Sequence, residues 1–294
     1  MAKDVQIFDT NFSDIVQGVF QAQSAFQPAF GEMQVKDGVS VEDTMFTVKA
    51  TDIPVVLGSY STDANTAFGD GTANSSRFGK MQEIIYKKKD VPYDGTWAIH
   101  EGFDSFTVNA NLQAAVADRL DLQAQEKIRL FDRLFGQKLV SAAAKDLGKV
   151  DDVVKLFGNA AKEYTNMEVN VPIRAYVSPD TYNAIVDSPV VTSYKNSAVN
   201  IDENGILRLK GMLVTEVPDQ YMNGAQVIFS PDNIGRGFLG IDVVRTIDAQ
   251  QFNGSELQGA GKYGAWIADQ NKPAILTAGY TAPTTSGSST TSGK

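Results

Sequence analysis

The chain has 294 residues, of which 43% are hydrophobic and 21% charged, a composition typical of a folded protein rather than a disordered one. It contains no cysteine and one histidine, which excludes a disulfide framework, thiolate chemistry and a histidine-rich metal site. The formal charge of −9 argues against broad electrostatic binding of nucleic acid, which needs a basic face.

Targeting and membrane signals are missing from the sequence. No run approaches the roughly 18 apolar residues of a membrane-spanning helix. The first residues, "MAKDVQIFDTNFSDIVQG", lack the apolar centre of a signal peptide. With no cysteine as well, we expect a protein that folds in a cytosol and has no membrane partner.

The first 45 residues contain apolar positions at helical spacing, which predict a short amphipathic helix ended by Pro28 and Gly31. The residues of this helix are Phe12, Val16, Val19, Phe20 and Gln23. We interpret the segment as an arm, and packing on another chain or on its own domain both stay open.

A long hairpin is predicted next. Residues 44–58 have a strand pattern interrupted at Pro54, and residues 80–93 have the pattern of a return strand. About twenty polar residues, 59–80, separate them and predict a flexible tip. Because a lone hairpin is marginally stable in water, its faces are expected to lie against another part of the structure or another chain. Residues 87–89 are all lysine, which favours a solvated strand edge over a small basic patch.

Residues 111–144 predict one long helix, capped by Asn109 or Asn111 and ended at Gly148. At 1.5 Å per residue it would span roughly 50 Å. Gly136 is expected to bend it or to allow close packing. Its apolar stripe comprises Val116, Leu120, Ala124, Ile128, Phe131, Phe135, Leu139 and Ala142. Its acidic residues are expected on a solvated or interfacial face: Asp118, Asp121, Glu126 and Asp132.

The rest of the chain predicts alternating short elements. A helix is expected over residues 150–164. A second, short helix is expected to be capped by Ser178 and to have Pro179 as its first residue, with Ile185 and Val186 facing inward. Strands are expected within residues 173–179, 205–219, 224–231, 234–248 and 263–279. Residues 281–294 are low in complexity and predict a disordered tail.

Catalytic and metal-binding patterns are weak. His100 beside Glu101 is a candidate general base, but a hydrogen-bonded structural histidine near a sheet is favoured. A calcium loop at Asp63 lacks the glycine at its sixth position, where Phe68 stands, and the closing glutamate. Phosphate-loop and nucleophile-elbow motifs are also missing from the sequence. We therefore predict no enzyme, with no catalytic, cofactor-binding or metal-binding residue and no cofactor.

The order of these elements resembles the major capsid proteins of tailed bacteriophages with the HK97-type fold, in particular those of siphophages that infect Gram-positive bacteria. Three segments carry the resemblance: "VPYDGTWAIHEGFDSFTVNANLQAAVADRLDLQAQEKI" at 91–128, "AYVSPDTYNAIVDSP" at 175–189, and "GMLVTEVPDQ" to "GAQVIFSPDNIGRGFLGID" within 211–242. The fold class it implies is α+β, an HK97-like capsid fold with an N-arm, an extended E-loop hairpin, a P-domain with a long spine helix, and an A-domain.

The resemblance also implies domain bounds. They are an N-terminal arm at 1–45, an E-loop hairpin reaching over a neighbouring subunit at 46–93, a P-domain with spine helix at 94–149, an A-domain at 150–235, P-domain return strands at 236–280, and a disordered tail at 281–294. Some family members crosslink an E-loop lysine to an asparagine, but nothing here marks such a pair.

The implied function is self-assembly, through hexamers and pentamers, into the icosahedral shell that encloses phage double-stranded DNA without sequence-specific binding. The implied partners are other copies of the chain, a portal protein, and a separate scaffolding protein, because the chain begins almost at the N-arm. A decoration protein stays an open addition. The expected location is the virion, with assembly in the host cytoplasm. Three alternatives stay open: an encapsulin-type compartment shell, a tail or baseplate component, and, last, an enzyme using His100.

Overall fold

The computed structural model describes residues 24–36, 44–51, 53, 55–63, 77–79, 81–105, 112–188, 199–201 and 207–281. Its contacts divide the chain into two units: the hairpin unit, Val41–Pro92, and the main unit, Met1–Ser40 with Tyr93–Lys294. The predicted helix of residues 12–23, the caps Asn109 and Asn111, and all but the first residue of the tail lie outside the described residues.

In the hairpin unit, strand β2 (Thr44–Ala50) pairs antiparallel with β3 (Lys87–Pro92), with a bulge between Thr44 and Phe46. The predicted pair of strands is confirmed at this end. Residues 55–60 and 81–86 are not strand, so the strands predicted from their β-forming residues are too long. β-Propensity describes a fit to a pleated surface and forms a strand only where a partner ladder exists.

The main unit contains a four-stranded sheet, sheet A. Its strands are β1 (Gln34–Lys36), β4 (Gly95–Asp104), β11 (Gly235–Asp248) and β12 (Gly254–Ile267), in the order β1-β11-β12-β4. β1 runs parallel to β11, and the other pairs are antiparallel. β12 begins nine residues before the strand that was predicted from Tyr263. The prediction missed the first half of β12 because that half is glycine-rich and lacks an apolar pattern. The Trp97 ring lies over one of these glycines, Gly259.

One long helix, α2 (Leu112–Ala142), follows β4. At 1.5 Å per residue its 31 residues span roughly 46 Å. The predicted stripe is confirmed at its centre, since Ala124, Ile128, Phe131, Phe135 and Leu139 are all buried. Leu120 and Ala142, nearer the two ends, are half-buried.

The predicted end of this helix at Gly148 is wrong. After Ala142 the chain enters a two-residue strand, β5 (Lys145–Asp146), which runs parallel to the late strand β13 (Leu276–Ala278). Hydrogen bonds from Ala144 N to Ile275 O and from Leu147 N to Thr277 O draw the backbone out of the helix. Gly148 instead takes a left-handed conformation, φ 88°, in the turn that follows.

The second sheet of the main unit, sheet B, has seven strands in the order β5-β13-β10-β6-β9-β8-β7. The strands not yet located are β6 (Ile173–Val177), β7 (Val199–Ile201), β8 (Leu207–Leu209), β9 (Met212–Glu216) and β10 (Val227–Pro231). Short 3-10 helices occupy Asp219–Tyr221 and Lys272–Ala274.

Two helices accompany sheet B: α3 (Val153–Asn166) and α4 (Pro179–Val186). α3 begins later than predicted because Asp152 caps it, its carboxylate accepting from Lys155 N at 3.1 Å. The predicted cap of α4 is confirmed, since Ser178 Oγ accepts from Thr181 N. Ile185 is buried as predicted, whereas Val186 is 38% exposed and was wrongly placed inward.

The N-terminal turn packs into the core of its own unit. Helix α1 (Gln27–Phe30) contains Pro28, so proline starts this helix rather than ending an earlier one, and Gly31 follows it. The Phe30 ring stacks on Phe135 of α2 at 4.1 Å between centroids. Gly136 permits the close packing that was predicted, because a Cβ there would lie 1.8 Å from the Tyr221 carbonyl oxygen.

Candidate interaction surface

The hairpin unit exposes most of its large apolar side chains. Leu57 is 94% exposed, Val55 89% and Phe78 82%. We call the whole group the exposed apolar set: Val55, Val56, Leu57, Tyr60, Phe78, Met81, Ile84, Ile85 and Tyr86. Scattered exposed apolar residues are ordinary on a soluble protein, but a concentration of them marks an interaction surface.

Contacts outside the strand ladder hold the backbone near the exposed apolar set. Beyond β2 and β3, Ser61 N donates to Arg77 O at 2.9 Å, and the Tyr60 and Phe78 rings meet edge to face at 5.1 Å. These contacts join the two sides of the hairpin near residues 60 and 78. In the described residues between this point and the β2–β3 ladder, regular strand pairing is absent. This stretch therefore offers backbone groups as well as apolar side chains to another chain.

The main unit shows what the single histidine contacts. His100 lies on β4 with an exposed side chain, its Nε2 3.2 Å from Glu256 Oε2. Glu101 points to the other face, where it accepts hydrogen bonds from Arg119 Nε and Gln123 Nε2, each at 2.7 Å. Successive strand residues face opposite sides of a sheet, so the candidate pairing of His100 with Glu101 is wrong. The hydrogen bond from Arg119 holds the pKa of Glu101 below its usual range.

Asp132 contradicts the expectation of a solvated or interfacial face, because it is only 4% exposed within its own chain. Ser24 Oγ donates to its Oδ1 at 2.5 Å, and Ala25 N donates to its Oδ2 at 3.4 Å. Burial raises the pKa of this carboxyl. The spacing already contained the signal, since Asp132 follows Ile128 of the apolar stripe by four residues.

A shallow cavity of about 580 Å³ lies between the end of α3 and the β8–β9 turn. Its lining includes Tyr164, Glu168, Val171 and Lys210. Across the described part of the chain, acidic and histidine side chains form no cluster of three or more able to hold a metal ion. In the same part, every helix is too short or too polar to cross a membrane.

No family model and no curated protein matches this sequence. Solved structures do match over nearly the whole chain. A structure from Mycobacterium phage Che8 is 16% identical, with a TM-score of 0.57, covering 95% of this chain and 93% of that one. The capsid of cyanophage P-SCSP1u is 10% identical, with a TM-score of 0.61, covering 85% and 86%. A virus-like particle from Pyrococcus furiosus is 13% identical, with a TM-score of 0.53, covering 90% and 96%. The chain has the HK97-type capsid fold, as the sequence predicted.

Proposed function

We propose that this chain is the major capsid protein of a tailed bacteriophage, whose copies assemble into the icosahedral shell that encloses double-stranded DNA. The observation that carries the proposal is the likeness to phage structures over nearly the full length of both chains. A likeness limited to one domain would leave room for a different role of the remainder. Here the likeness covers 95% of this chain, which leaves no room for a whole unit of the fold outside it.

The exposed apolar set gives this proposal a physical basis. Burying apolar surface stabilises an association by about 25 cal/mol per Å². Side chains as exposed as Leu57 and Phe78 contribute little of this kind to the fold of the isolated chain. In a shell, the same modest contact is repeated by symmetry, and closure prevents growth into filaments. A protein that must bind its own copies on all sides has a use for such a surface.

The domain assignment is part of the proposal. The hairpin unit corresponds to the E-loop of 46–93, α2 to the spine helix of 94–149, and most of sheet B to the A-domain of 150–235. The strands of 236–280 correspond mainly to β11 and β12, although β13 pairs within sheet B. Residues 24–36 pack on their own chain, which favours an N-arm made of the residues before them rather than all of 1–45.

The partners extend beyond other copies of the chain. A scaffolding protein would guide assembly, a portal protein would occupy one vertex, and a decoration protein is an optional addition. The chain would be a structural, non-enzymatic component of the virion, assembled in the host cytoplasm. Its charge of −9 suits contact with packed DNA that must slide rather than adhere.

A second candidate is an encapsulin-type compartment that holds cargo enzymes. It is favoured by one observation, the likeness to the Pyrococcus furiosus virus-like particle. The two candidates share a fold and differ in their contents. Tail and baseplate components receive no comparable support, and neither does an enzyme, because His100 faces away from Glu101.

The test is negative-stain electron microscopy of the purified chain, alone and co-expressed with its genomic neighbours. Closed polyhedral shells are expected, and a portal at one vertex with packaged DNA would identify a capsid. Small shells with an enclosed enzyme would favour the compartment. Rings or tubes would indicate a tail component, and a persistent monomer under both conditions would overturn the proposal.

A further inference from the structure

The cavity between the end of α3 and the β8–β9 turn is lined by two residues in unusual backbone conformations. In the described part of the chain, four residues other than glycine have a positive φ. Two of them are asparagines, Asn223 and Asn233, a residue type that tolerates this conformation. The other two, Glu168 with φ 57° and Lys210 with φ 52°, both line the cavity. Strained backbone of this kind concentrates at binding sites, so the cavity is a candidate binding site.

Local structure accounts for the two backbone conformations but not for the two side chains. Glu168 follows the end of α3, where its N–H donates to Thr165 O at 3.2 Å and the N–H of Val169 donates to Tyr164 O at 3.1 Å. This type of helix ending favours glycine at the position of Glu168. Lys210 is the first residue of the two-residue turn between β8 and β9, where asparagine or glycine is preferred. Both positions therefore carry a long charged side chain where glycine would be less strained.

The charges of Glu168 and Lys210 have no partner in the described part of the chain. Both side chains are exposed, and neither forms an ion pair or a hydrogen bond with another described residue. Much of the lining between them is apolar and includes Tyr164, Val169, Val171, Ile173 and Met212. One acidic group, one basic group and an apolar surface together suit a ligand that has an apolar centre and charges of both signs.

The backbone at one side of the cavity indicates that this ligand is a peptide. Asn170 and Val171 belong to neither a helix nor a strand, and their backbone groups form no hydrogen bond with another described residue. The apolar side chain of Val171 is also 49% exposed. An extended peptide pairs with such open backbone groups and places alternate side chains in a pocket.

The beginning of this chain has the matching pattern of side chains. Residues 3–9, "KDVQIFD", are called the N-terminal segment below. Alternate residues of an extended segment share one face, and one face of this segment carries Lys3, Val5, Ile7 and Asp9. A positive charge, two apolar side chains and a negative charge follow one another on this face. They complement the acidic group, the apolar lining and the basic group of the cavity.

The first described helix lies close to the cavity. Pro172, which lines the cavity, accepts a hydrogen bond from Asp232 N at 2.9 Å, and the next residue, Asn233, donates to Pro28 O at 2.8 Å. Pro28 belongs to α1, so only residues 10–26 separate the N-terminal segment from a helix beside the site. A short connection of this kind gives an effective concentration on the order of 1 mM. In dilute solution the segment therefore meets the cavity of its own chain before that of another copy.

We propose that the N-terminal segment docks into this cavity of its own chain in an extended conformation. Its two apolar side chains contact the apolar lining, and Lys3 pairs with Glu168. At the other end of the cavity, Asp9 pairs with Lys210. The inference does not depend on the capsid role, because the segment and the cavity belong to one chain.

The first experiment reverses and then restores one of the two charge pairs in the full-length chain. The variants are Lys210→Glu, the double variant Lys210→Glu with Asp9→Lys, and Lys162→Glu as the control. Lys162 is an exposed lysine of α3 outside the cavity lining, and it undergoes the same change of charge. Hydrogen exchange of residues 3–9 is measured at a protein concentration that keeps the chain monomeric.

In wild type, exchange within the N-terminal segment should be slower than in a free peptide of the same sequence. Lys210→Glu should speed it about fivefold, because a charge pair is lost and a repulsion takes its place. The double variant should restore the slow rate, and the Lys162→Glu control should match wild type. Exchange within β9 should be equal in all of these proteins, which separates loss of docking from a disturbed turn.

The second experiment locates the segment by crosslinking. Because the chain has no cysteine, Gln6→Cys with Val171→Cys introduces a single pair of thiols. A short bis-maleimide should join this pair within one chain, in a yield that does not change with protein concentration. Gln6→Cys with Val186→Cys is the control and should remain largely unjoined, because Val186 is exposed but does not line the cavity.

Several results would overturn the inference. Exchange in the segment as fast as in the free peptide would show that the cavity does not hold it. A double variant as fast as Lys210→Glu, or a Lys162→Glu control that is equally fast, would eliminate the charge pairing. Crosslinks between chains that increase with concentration would place the segment on a second copy instead. None of these results decides whether shells form, so electron microscopy tests the capsid role separately.

Discussion

The hairpin unit and the main unit place similar apolar residues in opposite environments. In the main unit, Phe131 and Phe135 are almost fully buried between α2, α1 and sheet A. In the hairpin unit, Phe78 and Leu57 are almost fully exposed. Apolar side chains in the first region stabilise the fold, whereas those in the second are available to stabilise contacts between chains. The same residue types therefore predict different losses when they are removed.

The largest effect on stability is expected at Phe135. Phe135→Ala removes a ring that stacks on Phe30 and leaves a cavity beside α1, which should cost about 3–5 kcal/mol of unfolding free energy. Chemical denaturation of the unassembled chain measures this loss. A change below 1 kcal/mol would mean that the site collapses around the smaller side chain, and the contrast between the units would then be weaker than their burial indicates.

The opposite result is expected in the hairpin unit. Leu57→Ser with Phe78→Ser should change the unfolding free energy of the isolated chain by no more than about 0.5 kcal/mol each, because both side chains are already in water. The yield of closed shells, counted by electron microscopy, should fall sharply. Val171→Ser, an exposed apolar position in the main unit, is the matched control. Normal shell yield from the double variant would break the comparison.

Asp132 sharpens the comparison within the main unit. Asp132→Ala leaves the Ser24 hydroxyl and the Ala25 amide without their acceptor, which should cost about 1–3 kcal/mol. Burial raises the pKa of Asp132, so its ionised form is penalised in the folded state. The contribution of Asp132 to the stability of wild type should therefore fall as pH rises from 3.8, the ordinary value, through the raised value, and stay lower above it.

Asp132→Asn removes this titration and keeps one oxygen acceptor for the turn at Ser24. Thermal unfolding across the acidic range should show the variant gaining on wild type as pH rises through the same window. A difference between the two proteins that does not change with pH would show that Asp132 keeps an ordinary pKa.

A small effect on stability is expected for the bond between β4 and α2. Glu101→Gln weakens the contact with the partly exposed Arg119 and should cost at most about 1 kcal/mol. Because the pKa of Glu101 is lowered in the fold, its contribution is present above 4.5 and is lost as pH falls through the lowered value. This dependence has the opposite sign to that of Asp132, and added salt should reduce it. A cost that is insensitive to salt would point to packing rather than charge.

Much of the fold was predictable because it is encoded over short distances along the chain. The apolar stripe of α2, the Ser178–Pro179 start of α4, and strands β6, β9 and β10 follow from spacing, capping and β-forming residues. The order of these elements, with the three quoted segments, was enough to identify the HK97-type fold. Most of the exposed apolar set was visible only as strand-forming sequence, and nothing local distinguished a buried strand from an exposed segment.

Only the tertiary structure decided what each element lies against. β13 joins sheet B and pairs with β5, which draws the chain out of the end of α2. Asp132 is buried by a turn more than a hundred residues earlier in the chain. Glu101 faces α2, while His100 faces away from it. The physical reason is that propensity and periodicity act within a few residues, whereas burial and charge pairing depend on residues that are distant in sequence. By itself, the sequence determined the long helix and the order of the elements. The structure determined which apolar side chains the chain buries and which it exposes.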